Sequence, residues 1–207
     1  MALRPVPKEP GRFYDTSTGQ KVDIVDYRDG DRYDTVRIAS GAITAGAETV
    51  LFRDIGSKDV IDFNMGAAHR LSSGEQMLVQ RIGVDIPLAF GNTVVAPVDI
   101  KKVAYGGYLL LKLNQKEVAS GPLYTFPTGY GLAGQTNENN TGVVSIGVPS
   151  TAAKKNMLKE HWLTSDQDVS GSLFFYDKLW DTTTNMPTLG SRVHVRIFLG
   201  GLIRLRN

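Results

Sequence analysis

The sequence has no cysteine. That removes thiol catalysis, thiolate metal sites and disulfides from consideration. Histidine is scarce, at His69, His161 and His194. None is spaced from another as a helical or hairpin metal pair, so a cupin-like metal centre has no ligand cluster to draw on. No apolar run approaches the ~18 residues of a membrane-crossing helix. The longest, Tyr108–Leu111 and Ile197–Ile203, are strand-length. The first residues, MALRPVPKEPGRFY, hold no apolar signal core, so synthesis in a cytoplasm without export by the general route is expected. Charge is nearly balanced, with 23 Lys+Arg against 21 Asp+Glu. A surface wholly devoted to nucleic acid would be far more basic.

What is abundant is glycine, with 22 residues, accompanied by 9 prolines in 207 positions. Such a chain turns often, which favours short strands over long helices. Hydrophobic residues at 42% and charged residues at 21% suffice for a globular core without staples.

Residues 1–21 stand apart. Pro5, Pro7 and Pro10 interrupt any period, and Arg4, Lys8, Arg12 and Lys21 outnumber Glu9 and Asp15. This segment reads as an extended N-terminal arm, with residues 22–207 as a single domain. From Val22 onward the chain reads as strands and turns. A turn is expected at Asp29-Gly30, a short strand around Val36 and Ile38, and another over Thr49–Arg53.

Gln76–Ile86 carries the strongest strand signal, with a change of phase. Met77 and Val79 share one face, whereas Ile82, Val84 and Ile86 share the other parity. One extra residue near Gln80–Arg81, a β-bulge, reconciles them. Tyr105–Leu113 reads as a strand, with a hairpin through Asn114–Lys116 into Glu117–Ala119. Gly121–Gly142 is loop-like and too long to be wholly structureless. Val143–Val148 and Ser170–Tyr176 read as strands, and Ser150–Leu163 as the one helix candidate. In Arg192–Leu199, Val193, Val195, Ile197 and Leu199 alternate with Arg192, His194, Arg196 and Phe198; Gly200-Gly201 then interrupts before Leu202–Leu205. About eight to ten strands at turn spacing and one or two short helices at most predict an all-β sandwich or barrel.

Chemistry is sparse. Gly129-Tyr130-Gly131-Leu132-Ala133-Gly134 matches GxGxxG in letters, but a proline-containing segment precedes it and the polar QTNENNT follows. A phosphate cradle needs a strand before and a helix after. No phosphate-loop or nucleophile-elbow motif occurs, and no carboxylate pair is assignable to acid–base work. The expectation is a protein that is not an enzyme, with no cofactor and no small-molecule substrate. The one charge feature is the C-terminal cluster Arg192, Arg196, Arg204 and Arg206, which has no acid among it. It reads either as a solvated strand face or as a surface meeting phosphate from genome or lipid. A second set of interest is aromatic: Tyr105, Tyr108, Tyr124, Phe126 and Tyr130 would either pack or stack on sugar rings.

Two segments carry a resemblance. Residues 51–86, LFRDIGSKDVIDFNMGAAHRLSSGEQMLVQRIGVDI, and the last seventeen, SRVHVRIFLGGLIRLRN, resemble structural proteins of small tailless bacterial viruses. The likeness is in particular to the single-jelly-roll major capsid protein of icosahedral phages. It implies two packed four-stranded sheets, subunits standing upright in pseudo-hexagonal capsomers, and no catalytic site. It also implies a place in the virion after synthesis in the host cytoplasm. Many such proteins fuse two jelly rolls; this chain has room for one, which leaves open whether a second capsid protein shares the shell.

The expected partners are therefore copies of the chain itself, as trimers, pentamers or hexamers. Genome or an internal membrane would meet Arg4, Lys8 and Arg12 in the arm and Arg192, Arg196, Arg204 and Arg206 at the C-terminus. The alternative is a β-sandwich receptor- or carbohydrate-binding module of a virion spike or fibre. In that case Tyr124, Phe126 and Tyr130 should be exposed together.

Overall fold

The computed structural model describes residues 3–5, 7, 12–15, 19–23, 27–43, 46–53, 56–87, 89–90, 93–127, 132–136, 142–146, 155–176 and 188–205. Its frame is eight strands: β1 (Tyr27–Ile38), β2 (Glu48–Leu51), β3 (Glu75–Asp85), β4 (Gly107–Leu113), β5 (Lys116–Pro122), β6 (Lys155–Thr164), β7 (Val169–Phe175) and β8 (Val193–Leu205). They form two four-stranded sheets, β6-β3-β8-β1 and β5-β4-β7-β2, in which every neighbouring pair is antiparallel. The chain changes sheet at each step except at the β4–β5 hairpin. This is the strand order of a jelly roll, and the two sheets bury their inner faces against each other.

Period-two alternation places the core. Val193, Val195, Ile197 and Leu199 of β8 are fully buried, facing Leu109 and Leu111 of β4, Leu173 of β7 and Leu51 of β2 across the sandwich. The phase change in β3 is a bulge where the sequence places it. Gly200 pairs with Arg81 and Gly201 with Val79, so Gln80 is left without an opposite residue. Met77 and Val79 before it, and Ile82 and Val84 after it, therefore all point inward. The β4–β5 hairpin turns through Asn114 and Gln115, both at positive φ (50° and 65°), as a two-residue loop requires.

Three local expectations are corrected. Asp29-Gly30 does not turn the chain; it lies inside β1, where Gly30 pairs with Gly201. There the strands approach closely: a Cβ at residue 30 would fall 2.5 Å from Ile203 Cδ1, the movable end of that side chain. Gly200-Gly201 likewise leaves β8 unbroken. The span Ser150–Leu163 is not a helix in its described part, since β6 pairs Lys155 with Ile82 and Leu163 with Met77. Its helix-favouring composition yields to the pairing edge that β3 offers.

Among the described residues the α-helix is instead α1 (Pro97–Gly106), with proline in its first turn and Val98, Ile100 and Val103 buried. Within Gly121–Gly142 lie the end of β5, a 3-10 turn over Leu123–Thr125 and a strand Leu132–Thr136 that pairs with Gly142–Ile146. In the segment read as an arm, Leu3–Pro5 pairs with Arg12–Asp15, and Arg12–Asp15 with Lys21–Asp23.

Candidate interaction surface

β8 alternates strictly, so its even-numbered residues project from the outer face of its sheet. Arg196 is the most engaged of them. Its guanidinium lies over the Tyr33 ring, 4.8 Å from the centroid. Nη2 donates to the Ile61 carbonyl at 2.7 Å and Nε to Thr35 Oγ1 at 3.2 Å. In register it sits opposite Asp85 of β3. Burial pushes the Asp85 carboxyl above its ordinary value, with the Arg196 charge pulling the other way. Arg204 lies over the Tyr27 ring at 5.5 Å. Arg192 precedes β8 and is exposed. Arg4 belongs to the strand Leu3–Pro5, and Arg12 is exposed on Arg12–Asp15. Lys8 and Arg206 lie outside the described residues. The basic C-terminal strand is thus partly spent within the fold, Arg196 and Arg204 as cation–π partners and Arg192 at the surface.

The same outer face shows how the edge strand β1 is covered. Residues 59–64, from the connection between β2 and β3, run along it as a partial extra strand. Thr35 N–H donates to the Asp62 carbonyl at 2.8 Å, and Tyr33 N–H to Asn64 Oδ1 at 2.6 Å. Asn64 Nδ2 donates to the Asp31 carbonyl at 2.9 Å and Arg37 bridges to Asp62 at 3.0 Å. An open sheet edge invites pairing with foreign strands; this one is occupied in its middle. Beside it Val60 and Ile61 stand exposed at 77% and 64%.

A second surface joins Tyr108 of the aromatic set to Phe174 and Tyr176, which that set does not include. On the outer face of the β4–β7 pair, Tyr108 sits opposite Phe174. Tyr176 meets Tyr108 edge-on at 5.7 Å and stacks on Phe174 at 5.9 Å. Val50 of β2 lies on the same face, and it and Tyr176 are exposed. The signal was present in the alternation of Ser170–Tyr176, whose even positions Phe174 and Tyr176 face away from the core.

The expected aromatic trio does not present together. Tyr124 is exposed, Phe126 is buried in the core, and Tyr130 lies outside the described residues. Tyr124 stacks instead on Tyr105 of α1, with ring centroids 5.1 Å apart and both residues 54% exposed. The histidines are dispersed. His69 Nδ1 is 3.0 Å from the Val169 carbonyl, His161 lies on β6, and His194 is buried on β8. Burial lowers the affinity of His161 and His194 for a proton, reinforced by Lys159 at the former and by Arg37 at the latter. Among the described residues no three side chains of His, Asp or Glu gather as a metal site.

Compared with protein-family models, with curated proteins and with solved structures, the chain finds no match to any of them.

Proposed function

We propose that this chain is a viral capsid structural protein, a non-enzymatic jelly-roll subunit that assembles with copies of itself into the capsomers of an icosahedral phage shell. The observation that carries the reading is the strand order combined with what lines the sandwich. The inward rows of β3, β4, β7 and β8 are apolar and packed against one another, apart from Glu75 at the start of β3, which pairs with Arg32 of β1. A jelly roll that binds a ligand or metal inside its sheets needs polar groups on those rows. Exposed apolar and aromatic side chains, among them Val50, Val60, Ile61 and Tyr176, face outward instead, where a neighbouring subunit would cover them. Closed symmetric assembly multiplies weak pairwise contacts of this kind. The resemblance noted in residues 51–86 and 191–207 points the same way.

The test is size-exclusion chromatography with light scattering on the purified protein, followed by negative-stain microscopy of each peak. Rings of capsomer size or closed shells are expected. A monomer of 22.6 kDa at high concentration and varied salt would overturn the reading.

The exposed Tyr105–Tyr124 stack favours a second reading, a carbohydrate- or receptor-binding module of a spike or fibre. Glycan-array binding lost in Tyr105→Ala and Tyr124→Ala would support it, and an array without signal would remove it.

A further inference from the structure

A lysine and an aspartate that meet in water exchange partners freely, whereas a pair enclosed in a sandwich is held together. Asp34 stands on the inward row of β1, between Ile197 of β8 and Phe63 of the β2–β3 connection. Its side chain is wholly shielded from solvent. Lys58, from the same connection, reaches in with only 16% of its side chain exposed, and its Nζ donates to Asp34 Oδ1. The other carboxyl oxygen, Oδ2, accepts the Phe52 N–H at 2.5 Å. Nζ also lies 5.9 Å from the centroid of the Phe63 ring. Burial pushes the Asp34 carboxyl above its ordinary value, against the opposing pull of Lys58 and of the Phe52 N–H.

An amine, a carboxyl group and an N–H donor aimed at the carboxyl oxygen, enclosed in a nearly dry site, are the components of an amide condensation. We propose that Lys58 and Asp34 condense into an intramolecular amide that joins the β2–β3 connection covalently to the edge strand β1. No cofactor or co-reactant is needed. The Lys58 ammonium passes one proton to Asp34 Oδ1 across their hydrogen bond, which leaves a neutral amine as nucleophile beside a neutral acid. The Nζ lone pair forms a bond to Cγ while the carbonyl electron pair moves onto Oδ2, where the Phe52 N–H stabilises it. The tetrahedral centre collapses, the Cγ–Oδ1 bond breaks, and Oδ1 departs as water with a second proton taken from Nζ. Ammonium plus carboxylate gives amide plus water, with no change of oxidation state. Enclosure supplies the orientation that makes such a step effectively unimolecular. In a chain without cysteine the link would occupy the place of a disulfide, holding residues 59–64 over the β1 edge.

The experiment is intact-mass spectrometry of the purified, folded full-length chain under denaturing conditions, with a proteolytic digest of the same sample. The expected mass is lighter than the sequence by one water, and the digest should contain a branched peptide joining the Asp34 and Lys58 segments. Lys58→Arg should restore the sequence mass. Folded wild-type protein at its full sequence mass after prolonged incubation at neutral pH would overturn the proposal. So would a water loss that maps to a succinimide at Asp29-Gly30. The branched peptide is sought in the unaltered protein, so the result does not depend on a variant folding or on any assembly of the chain.

Discussion

Gly201 of β8 runs against the Leu78 carbonyl of β3 so closely that a β-carbon at residue 201 would stand 1.9 Å from that oxygen. The contact lies at the register shift opposite the extra residue Gln80. Gly201→Ala sets new volume against backbone that cannot swing aside, so we expect a loss of about 3 kcal/mol or more in urea unfolding. At Gly83 a β-carbon would meet the Phe198 ring at 2.1 Å, but a ring at the end of a side chain can rotate away. Gly83→Ala should therefore cost about 1–2 kcal/mol. Equal losses at the two sites would show that the bulge does not dictate glycine at 201.

Asp99 ties α1 to the entrance of β8. Its Oδ2 accepts the Gly190 N–H at 3.0 Å, and the Ser191 N–H and Oγ each at 2.9 Å. Asp99→Ala should destabilise the fold by about 2–4 kcal/mol, because the donors it leaves are partly buried. Asp99→Asn keeps an acceptor oxygen and should recover more than half of that. Thermal unfolding of the pair is the measurement, and an asparagine variant as damaged as the alanine would argue against an acceptor role.

Acid should weaken the fold beginning near neutrality. The folded-state affinities of His161 and His194 for a proton lie below the ordinary histidine value of 6.5. Unfolding therefore takes up protons. The stability these groups contribute is fully present above 6.5 and is lost as pH falls from there through the lowered folded values. Urea midpoints measured from pH 8 to pH 5 should decline, and His194→Gln should flatten part of that decline. A variant that tracks the parent at every pH would remove His194 from the account.

Arg192 and Arg196, four residues apart, should part company. Arg196→Gln loses the Tyr33 stack and the bonds to Thr35 and Ile61, and should cost about 1–3 kcal/mol. Arg192→Gln is an exposed change and should stay within about 0.5 kcal/mol. If Arg192 meets phosphate or a neighbouring subunit, its loss should instead reduce the salt sensitivity of assembly, read by light scattering across a salt series. Assembly unchanged at every salt concentration would make it an ordinary surface charge.

Alternation identifies β8 and β3 from the residues alone, and the phase change in β3 places the bulge near Gln80–Arg81, where Gln80 is the extra residue. The reason is that a half-buried strand writes its period into its own side chains. Lys155–Thr164 reads as helix by composition because it is an edge strand with few inward positions, which leaves only a weak period. α1 has a local signature, Pro97 followed by Asp99 before Val103. The arginines were picked out as a charge cluster, yet their partners Tyr33, Thr35 and Ile61 come from β1 and the β2–β3 connection. Contacts that span 135 and 161 residues leave no local trace.

By itself the sequence determined that this protein is a cysteine-free, turn-rich, all-β chain with aliphatic strand faces, because periodicity and turn chemistry are properties of neighbouring residues. Only the tertiary structure decided that the strands fall in the order β6-β3-β8-β1 and β5-β4-β7-β2, that Arg196 rests on Tyr33, and that Asp34 is closed in with Lys58. Those outcomes depend on which faces can be buried together once the whole chain competes for a single core, and hydrophobic burial is non-directional until partners across the sandwich select one arrangement.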